Sequence, residues 1–251
     1  MNFLAGYLVL VAPILGALAF VAKGKRRAAA IAGALLTAVV LVYSNSVGAW
    51  VGLASGISLA SLLLPRTAVS PRARVGLLVT WMGLATVAGG LGIAKFAAEW
   101  NSISVRVAAH RIGFAAIAER PLLGFGEGGY ARESSRLEQR VFGDLLKSYH
   151  QSTEGLSAHS SFLQTAVERG LLGLGAFAAL LASVLIAGIR GVGRAPDPAR
   201  RLLLLGLLAG LVSFAVQAFT ENLFDYSKVA AIFWIMGAAL VHLSGPHSSP
   251  A

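Results

Sequence analysis

One polar stretch of the chain, residues 101–175, holds the side chains best suited to binding phosphate or moving a proton. They are Arg106, His110, Arg111, His150 and His159. A guanidinium is always charged and grips phosphate oxygens through two parallel N–H donors. A neutral imidazole can take a proton from a hydroxyl group near pH 7. These residue types together are typical of a site that holds a phosphorylated molecule and activates a hydroxyl.

Arg106 and His159 are the leading candidates. Arg106 could hold a diphosphate at a membrane surface, and the alternative is a cation that only snorkels to the interface or sets topology. His159 lies where the polar stretch turns into an apolar helix, with Ser157 as its predicted N-cap. It could act as a general base, and the alternative is an interfacial histidine without a catalytic role. Glu168 is predicted to face nearly the opposite side of that helix, which makes it a poor partner for His159.

Other kinds of site find little support. His110, His150 and His159 do not have the spacing of a zinc site, so no metal is predicted. The segment GFGEGG, residues 124–129, contains G-x-G, but no strand–helix unit surrounds it and no P-loop is present. The chain has no cysteine, which excludes thiolate catalysis and disulfides. We therefore predict no metal and no cofactor.

The elements that position these residues are membrane helices. Of the 251 residues 56% are hydrophobic and 13% are charged, against about 25% charged in soluble domains. Several apolar runs approach the roughly 20 residues that cross a bilayer. We predict an all-α polytopic membrane helix bundle in contact with membrane lipids. The net charge of +10 is interpreted as a topology signal and not as nucleic-acid binding.

About seven transmembrane helices are predicted. The three most basic short loops are 23–27, 65–74 and 190–201, and the positive-inside rule places them in the cytoplasm. The N-terminus and the long polar loop then lie outside the cytoplasm. The predicted spans are 3–22, 28–43, 49–64, 75–97, 159–189, 202–220 and 229–243.

Four regions follow from these spans. Residues 1–97 hold four N-terminal transmembrane helices, and residues 98–158 form an extracytoplasmic, periplasmic loop. Residues 159–243 hold three C-terminal transmembrane helices, and residues 244–251 form a polar cytoplasmic tail.

The long loop is predicted to contain amphipathic helices. Residues 104–118 have one apolar stripe, and Arg106 and His110 are an i, i+4 pair on a neighbouring face. Residues 133–149 could form a second, surface helix. The apolar stripe consists of Val105, Ala109, Ile112 and Ala116.

Two motifs give this loop a resemblance to a known family. The segments IAERPLLGFGEGGY (117–130) and AHSSFLQTAVERGLLGLGAFAALL (158–181) together resemble the O-antigen ligase/polymerase family of bacterial membrane glycosyltransferases. The resemblance covers about residues 44–240 and predicts the same topology. The matching positions are Pro121, Leu122, Leu123, Gly124 and Gly126 in the first motif and His159, Phe162, Leu163, Gln164, Glu168, Gly170 and Gly173 in the second.

The resemblance implies glycan transfer from an undecaprenyl-diphosphate carrier to a hydroxyl acceptor at the outer face of the bacterial inner membrane. The acceptor is lipid A–core in ligases and a growing polysaccharide in polymerases, and the reaction is metal-independent and inverting. By this resemblance, His159 would activate the acceptor and Arg106 would hold the diphosphate. Further residues implied are the substrate-binding Arg111, His110, Gln164 and Glu168 and the motif glycines Gly124, Gly126 and Gly170.

The chain departs from the family pattern at several positions. Val47 stands where many relatives have a second arginine, and Arg111 is the candidate to replace it. Ser160 follows the histidine in place of asparagine, and His110 replaces a tryptophan. Relatives usually have more spans, so an N-terminally short member is expected. These departures leave open a non-catalytic, truncated relative that binds the lipid-linked glycan or partners a complete transferase.

A small-solute transporter is a further alternative, because some proteins with this kind of loop are described as transport components. Transport sites usually place ionisable side chains near the middle of the membrane. The predicted spans carry none there, which counts against transport.

Overall fold

The computed structural model describes residues 2–64, 83, 100–142 and 157–245, and the regular elements in these ranges are all helical. The predicted all-α polytopic membrane architecture is confirmed. A short 3₁₀ turn, Leu223–Asp225, precedes the last helix. The helices are α1 (Asn2–Val21), α2 (Gly24–Ser44), α3 (Val47–Leu63), α4 (Trp100–Glu119), α5 (Gly129–Phe142), α6 (Ser161–Arg194), α7 (Pro198–Gln217) and α8 (Ser227–Ser244).

Helices α1, α2, α6, α7 and α8 are long and apolar enough to cross a membrane. They correspond to the first, second, fifth, sixth and seventh predicted spans. Helix α3 has 17 residues, which is at the lower end of the length that spans a bilayer. The predicted fourth span, 75–97, lies outside the described residues apart from Gly83, as does the basic loop 65–74. The total of seven spans therefore stays a prediction.

Two compact units divide the chain. We call Met1–Gly92, Leu181–Gln217 and Tyr226–Ala251 the bundle unit, and Ile93–Leu180 with Ala218–Asp225 the loop unit. Helix α6 belongs to the loop unit up to Leu180 and to the bundle unit from Leu181. The candidate residues of the polar stretch belong to the loop unit, apart from His150, which lies outside the described residues.

Glycines let the backbones of the bundle unit approach closely. A Cβ on Gly56 of α3 would lie 2.2 Å from the carbonyl oxygen of Ala209 on α7. On another face of α7, a Cβ on Gly210 would lie 2.4 Å from the carbonyl oxygen of Leu10 on α1. Gly52 and Gly56, like Gly206 and Gly210, have the small-xxx-small spacing that supports membrane helix packing. The close packing of α7 against both α3 and α1 therefore follows from one glycine pair at each contact.

The loop unit has a small hydrophobic core built by α4, α5 and the start of α6. The predicted apolar stripe of α4 is confirmed for Ala109, Ile112 and Ala116, which are fully buried, while the side chain of Val105 lies outside the described residues. Gly113 of α4 fits closely against Leu163 of α6, since a Cβ there would lie 2.8 Å from a leucine methyl carbon. The core consists of Ile112, Ala116, Tyr130, Leu137, Ala158, Leu163 and Val167.

Helix α5 begins four residues earlier than predicted, at Gly129 instead of residue 133. Residues 143–149 of the predicted helix lie outside the described residues. The buried Tyr130 hydroxyl donates to the carbonyl of Ala109, 2.8 Å away, and joins α5 to α4. The Glu168 carboxylate of α6 lies beside the backbone N–H of Tyr130, in the first turn of α5. A carboxylate beside a helix N-terminus stabilises the helix through its dipole, and this contact between distant residues is invisible in the local sequence.

A break at Gly170 divides α6. The fifth span, 159–189, is predicted without a break and is long enough to tilt or to begin outside the lipid. In the structure, Gly170 has φ +67° and ψ −175°, a combination that only glycine adopts readily. The preceding limb, residues 161–169, is short and largely buried, whereas the following limb, 171–194, is apolar and largely exposed. With 1.5 Å per residue, the second limb alone reaches across a hydrocarbon core of about 30 Å.

Candidate functional site

His159 occupies a strained turn directly before α6. Its φ of +48° is in the left-handed region, which is uncommon for residues other than glycine, asparagine, aspartate and histidine. The predicted N-cap Ser157 is wrong: it lies three residues before the cap position, and its hydroxyl accepts the His159 N–H at 3.4 Å. The cap is Ser160, whose hydroxyl accepts the Leu163 N–H at 3.3 Å. Serine and asparagine are equally good N-caps, so Ser160 can replace the family asparagine in this role.

Gln164 and Glu168 stabilise this turn through side-chain hydrogen bonds. The side-chain oxygen of Gln164 accepts the backbone N–H of Ala158 at 3.0 Å, and its amide nitrogen donates to Glu168 at 2.7 Å. Both side chains are buried. Their described contacts position the backbone beside His159, and substrate binding by either stays a prediction.

Segment 218–225 docks on the first residue of α6. The backbone N–H of Ser161 donates to the Ala218 carbonyl at 2.9 Å. Its hydroxyl donates to the Glu221 carbonyl at 3.2 Å and accepts the Phe224 N–H at 3.1 Å. This places the loop between α7 and α8 beside the turn that carries His159.

Arg106 is bound by this docked loop. Its guanidinium donates to the Glu221 carboxylate at 2.8 Å and to the Thr220 carbonyl at 2.7 Å. The Arg106 side chain is 31% exposed and the Glu221 side chain 12%. An arginine has five N–H donors, so these two bonds orient the guanidinium and leave donors for an anion.

The two other candidates on α4 differ in their surroundings. His110 lies one turn after Arg106, and its Nδ1 is 2.7 Å from the Arg106 carbonyl. Because a carbonyl only accepts, this nitrogen carries the proton and Nε2 remains for another partner. Arg111 is exposed and forms no ion pair with the described residues. Arg111 is therefore accessible to a ligand, and its predicted binding role stays a prediction.

The surroundings keep the His159 imidazole neutral. Burial lowers its pKa below the ordinary value, the Arg106 charge lowers the pKa further, and His110 adds a smaller effect in the same direction. The Glu221 carboxylate acts oppositely and raises the pKa. A neutral imidazole near pH 7 is the form that accepts a proton.

Charge removal should shift this pKa in opposite directions. Glu221→Gln removes the carboxylate that favours the imidazolium, so the pKa of His159 should fall further. Arg106→Gln removes the cation that disfavours the imidazolium, so the same pKa should rise. The measurement is an NMR titration of the histidine Cε1 resonances, assigned to His159 by a His159→Asn variant. Equal pKa values in both variants and the wild type would contradict this electrostatic coupling, and Arg140→Gln serves as a matched control.

The first sequence motif closes the break in α6. The N–H groups of Phe125 and Gly126 donate into the limb before the break, and the carbonyls of Pro121 and Leu122 accept from the limb after it. The motif therefore supplies backbone partners on both sides of Gly170. The bonds are Phe125 N–H to Val167 at 2.9 Å, Gly126 N–H to Glu168 at 2.8 Å, Leu171 N–H to Pro121 at 2.7 Å and Leu172 N–H to Leu122 at 3.3 Å.

We call these four backbone hydrogen bonds the clamp. Glycine is required where the two backbones of the clamp meet. A Cβ on Gly170 would lie 2.0 Å from the Leu122 carbonyl oxygen, and a Cβ on Gly124 would lie 2.5 Å from that of Val167. Gly124 and Gly126 both have positive φ, +68° and +80°. These three motif glycines therefore have a structural role that their spacing alone did not reveal.

Sequence reasoning missed Glu221, Thr220 and Ser161. The loop ENLFDYSK, residues 221–228, holds two of the chain's acidic residues, and the predicted topology puts it on the same side as the long loop. This shared side of the membrane is the signal in the sequence that the two loops can meet. Val47, which replaces the family arginine, begins α3 in the bundle unit.

Comparison with known proteins identifies one family. A family model described as O-antigen ligase matches residues 32–178, which is more than half of the chain. The match includes Val47, Arg106 and the second motif through Gly170, and it ends before segment 218–225. No curated protein matches the chain.

Proposed function

Because this chain belongs to the O-antigen ligase family, we propose that it transfers a glycan from an undecaprenyl-diphosphate carrier to a hydroxyl acceptor. Family membership and the apolar helices establish a multi-pass membrane protein with a role in glycan transfer. The donor, the acceptor and the outer face of the inner membrane are parts of the proposal. The acceptor is lipid A–core or a growing polysaccharide.

One observation carries the proposal. Arg106 and Glu221, 115 positions apart in sequence, form an ion pair whose charges both act on the His159 imidazole. This pair supports the assignment of Arg106 as the residue that binds the diphosphate and of His159 as a neutral base in the same unit. A cation that only set topology would not need a tertiary carboxylate to orient it.

The proposed step is an inverting displacement. The His159 imidazole takes the proton of the acceptor hydroxyl, and that oxygen forms a bond to the anomeric carbon. The bond between that carbon and the diphosphate oxygen breaks, and its electron pair stays on the diphosphate. Arg106 stabilises the negative charge that develops there, which is the kind of electrostatic help that contributes most in such sites. Glu221 holds the guanidinium in position before the substrate binds.

Binding of the carrier tests the Arg106 role without knowledge of the sugar. In native mass spectrometry the wild type should retain undecaprenyl diphosphate, and Arg106→Gln should bind it about 10–100-fold more weakly, because a charged hydrogen bond contributes about 1.5–3 kcal/mol. Arg106→Lys should bind the carrier with intermediate affinity, since lysine keeps the charge but lacks the forked N–H donors of the guanidinium. Arg140→Gln, an exposed ion-paired arginine of the same unit, should bind like the wild type. Wild-type affinity in Arg106→Gln would contradict the assignment.

The second candidate function is a non-catalytic relative that binds the lipid-linked glycan, and Val47 favours it. Measurements of carrier binding and turnover on one purified preparation distinguish the two functions. A chain that binds the carrier but never turns it over, with any acceptor tested, would be the binding relative. Turnover that depends on His159 would establish the transferase.

A further inference from the structure

A basic groove lies in the bundle unit, where α1 ends and α2 begins. The cavity has a volume of about 920 Å³, which is within the range of small-molecule sites. Its apolar wall includes Leu15, Leu18 and Val21 of α1. Its charged rim consists of Lys23, Lys25 and Arg26, and none of the described residues that line it is acidic.

The three cations have no partner of opposite charge among the residues that the structure describes. None of Lys23, Lys25 and Arg26 forms an ion pair within the described parts of the chain, and all three are exposed. Sequence reasoning placed the start of the second span at residue 28, but α2 begins at Gly24. The helix therefore carries Lys25 and Arg26 in its first turn and does not leave them in a loop.

The N-terminus of α2 is itself open to an anion. Its N-cap residue, Lys23, makes no side-chain capping bond, and the first turn contains no acidic residue. A Cβ on Gly24 would meet no atom of the described residues within 4 Å. The first N–H groups of a helix lack intrahelical partners, and together with the helix dipole they bind phosphate well.

We propose that this groove binds an anionic glycerophospholipid, with the phosphate between Lys23, Lys25, Arg26 and the start of α2, and an acyl chain along α1. Charge favours a phosphate, and the apolar wall favours a hydrocarbon chain attached to it. Both flanking helices are long enough to cross a membrane, which puts the groove at a lipid boundary. The site is independent of the glycan-transfer proposal, because it uses none of those residues.

Lipid retention by the purified full chain tests the proposal. In native mass spectrometry with phosphatidylglycerol, Lys25→Gln/Arg26→Gln should weaken binding at least about tenfold, since each cation near an anionic headgroup contributes on the order of 1 kcal/mol. The matched control is Arg27→Gln/Arg190→Gln, which removes the same charge from exposed residues that do not line the groove. The control should retain the lipid within about threefold of the wild type.

A second variant tests the groove with its charges intact. Ala29 lines the cavity and is exposed, so Ala29→Trp should fill the space, leave the helix folded and lower lipid retention. Equal loss in the Arg27→Gln/Arg190→Gln control would overturn the proposal in favour of a general charge effect. Equal binding of zwitterionic phosphatidylethanolamine would also overturn it, as would displacement of the lipid by glycerol 1-phosphate at equal concentration.

Discussion

Replacing His159 by asparagine should lower glycan transfer by about 10²–10⁴-fold, the contribution typical of a general base. Asparagine has no group that accepts a proton near neutral pH, so the acceptor hydroxyl would not be activated. It does tolerate the positive φ of this position. The measurement is glycan transfer in membranes of the host strain that lacks its own copy of the gene.

The choice of asparagine separates chemistry from backbone strain. His159→Ala also removes the imidazole, but alanine in the left-handed region costs roughly 1–2 kcal/mol. A loss of activity in the alanine variant could therefore come from a displaced turn. Carrier binding by His159→Asn should stay at the wild-type level, because Arg106 and Glu221 are unchanged.

His242→Asn is the matched control for this experiment. His242 is an exposed histidine near the end of α8 in the bundle unit. Its replacement should leave transfer unchanged. Full activity of His159→Asn would contradict the assignment of the base and leave Arg106 as the remaining candidate.

Gly170→Ala should destabilise the folded protein by about 3 kcal/mol or more, from backbone strain of about 1–3 kcal/mol and the weakened clamp bonds. The new Cβ would lie 2.0 Å from the Leu122 carbonyl oxygen. Relief of this clash requires the first motif to move away, which breaks bonds on both sides of Gly170. The measurement is thermal unfolding in detergent, followed by tryptophan fluorescence, together with the yield of folded protein.

Gly175→Ala provides the comparison within the same helix. A Cβ on Gly175 would meet no atom within 4 Å, and alanine is favoured over glycine in a helix by about 1 kcal/mol. This variant should be as stable as the wild type or slightly more stable. Equal unfolding temperatures for Gly170→Ala and Gly175→Ala would contradict the clamp.

The membrane class of the protein could be predicted because its cause is local. Apolar runs must form helices in lipid, since the backbone finds no other hydrogen-bond partners there. The apolar stripe of α4 was predictable for a similar reason: a period of 3.6 residues puts Ala109, Ile112 and Ala116 on one face. Helix bounds differed where a good helix former carried charge, as at Lys25 and Arg26, or where a distant carboxylate lay beside the start of the helix.

The candidate site was predictable only in part. Arg106 and His159 stood out by residue type and through the family motifs. The sequence did not reveal that Glu221 orients Arg106, because the pair joins residues 115 positions apart. Which loop docks on Ser161 depends on packing among several helices, and no local pattern encodes it.

The two motifs were likewise predictable only in part. Their residues and spacing identified a family from the sequence alone, but not what the glycines do. Only the tertiary structure shows that Gly124 and Gly170 let one backbone approach another where a side chain has no room. Sequence thus determined the helical membrane class, most span positions and the family, because these depend on local periodicity and composition. Tertiary structure decided the break in α6, the carboxylate beside the start of α5 and the Arg106–Glu221 pair, because these arise from contacts between distant segments.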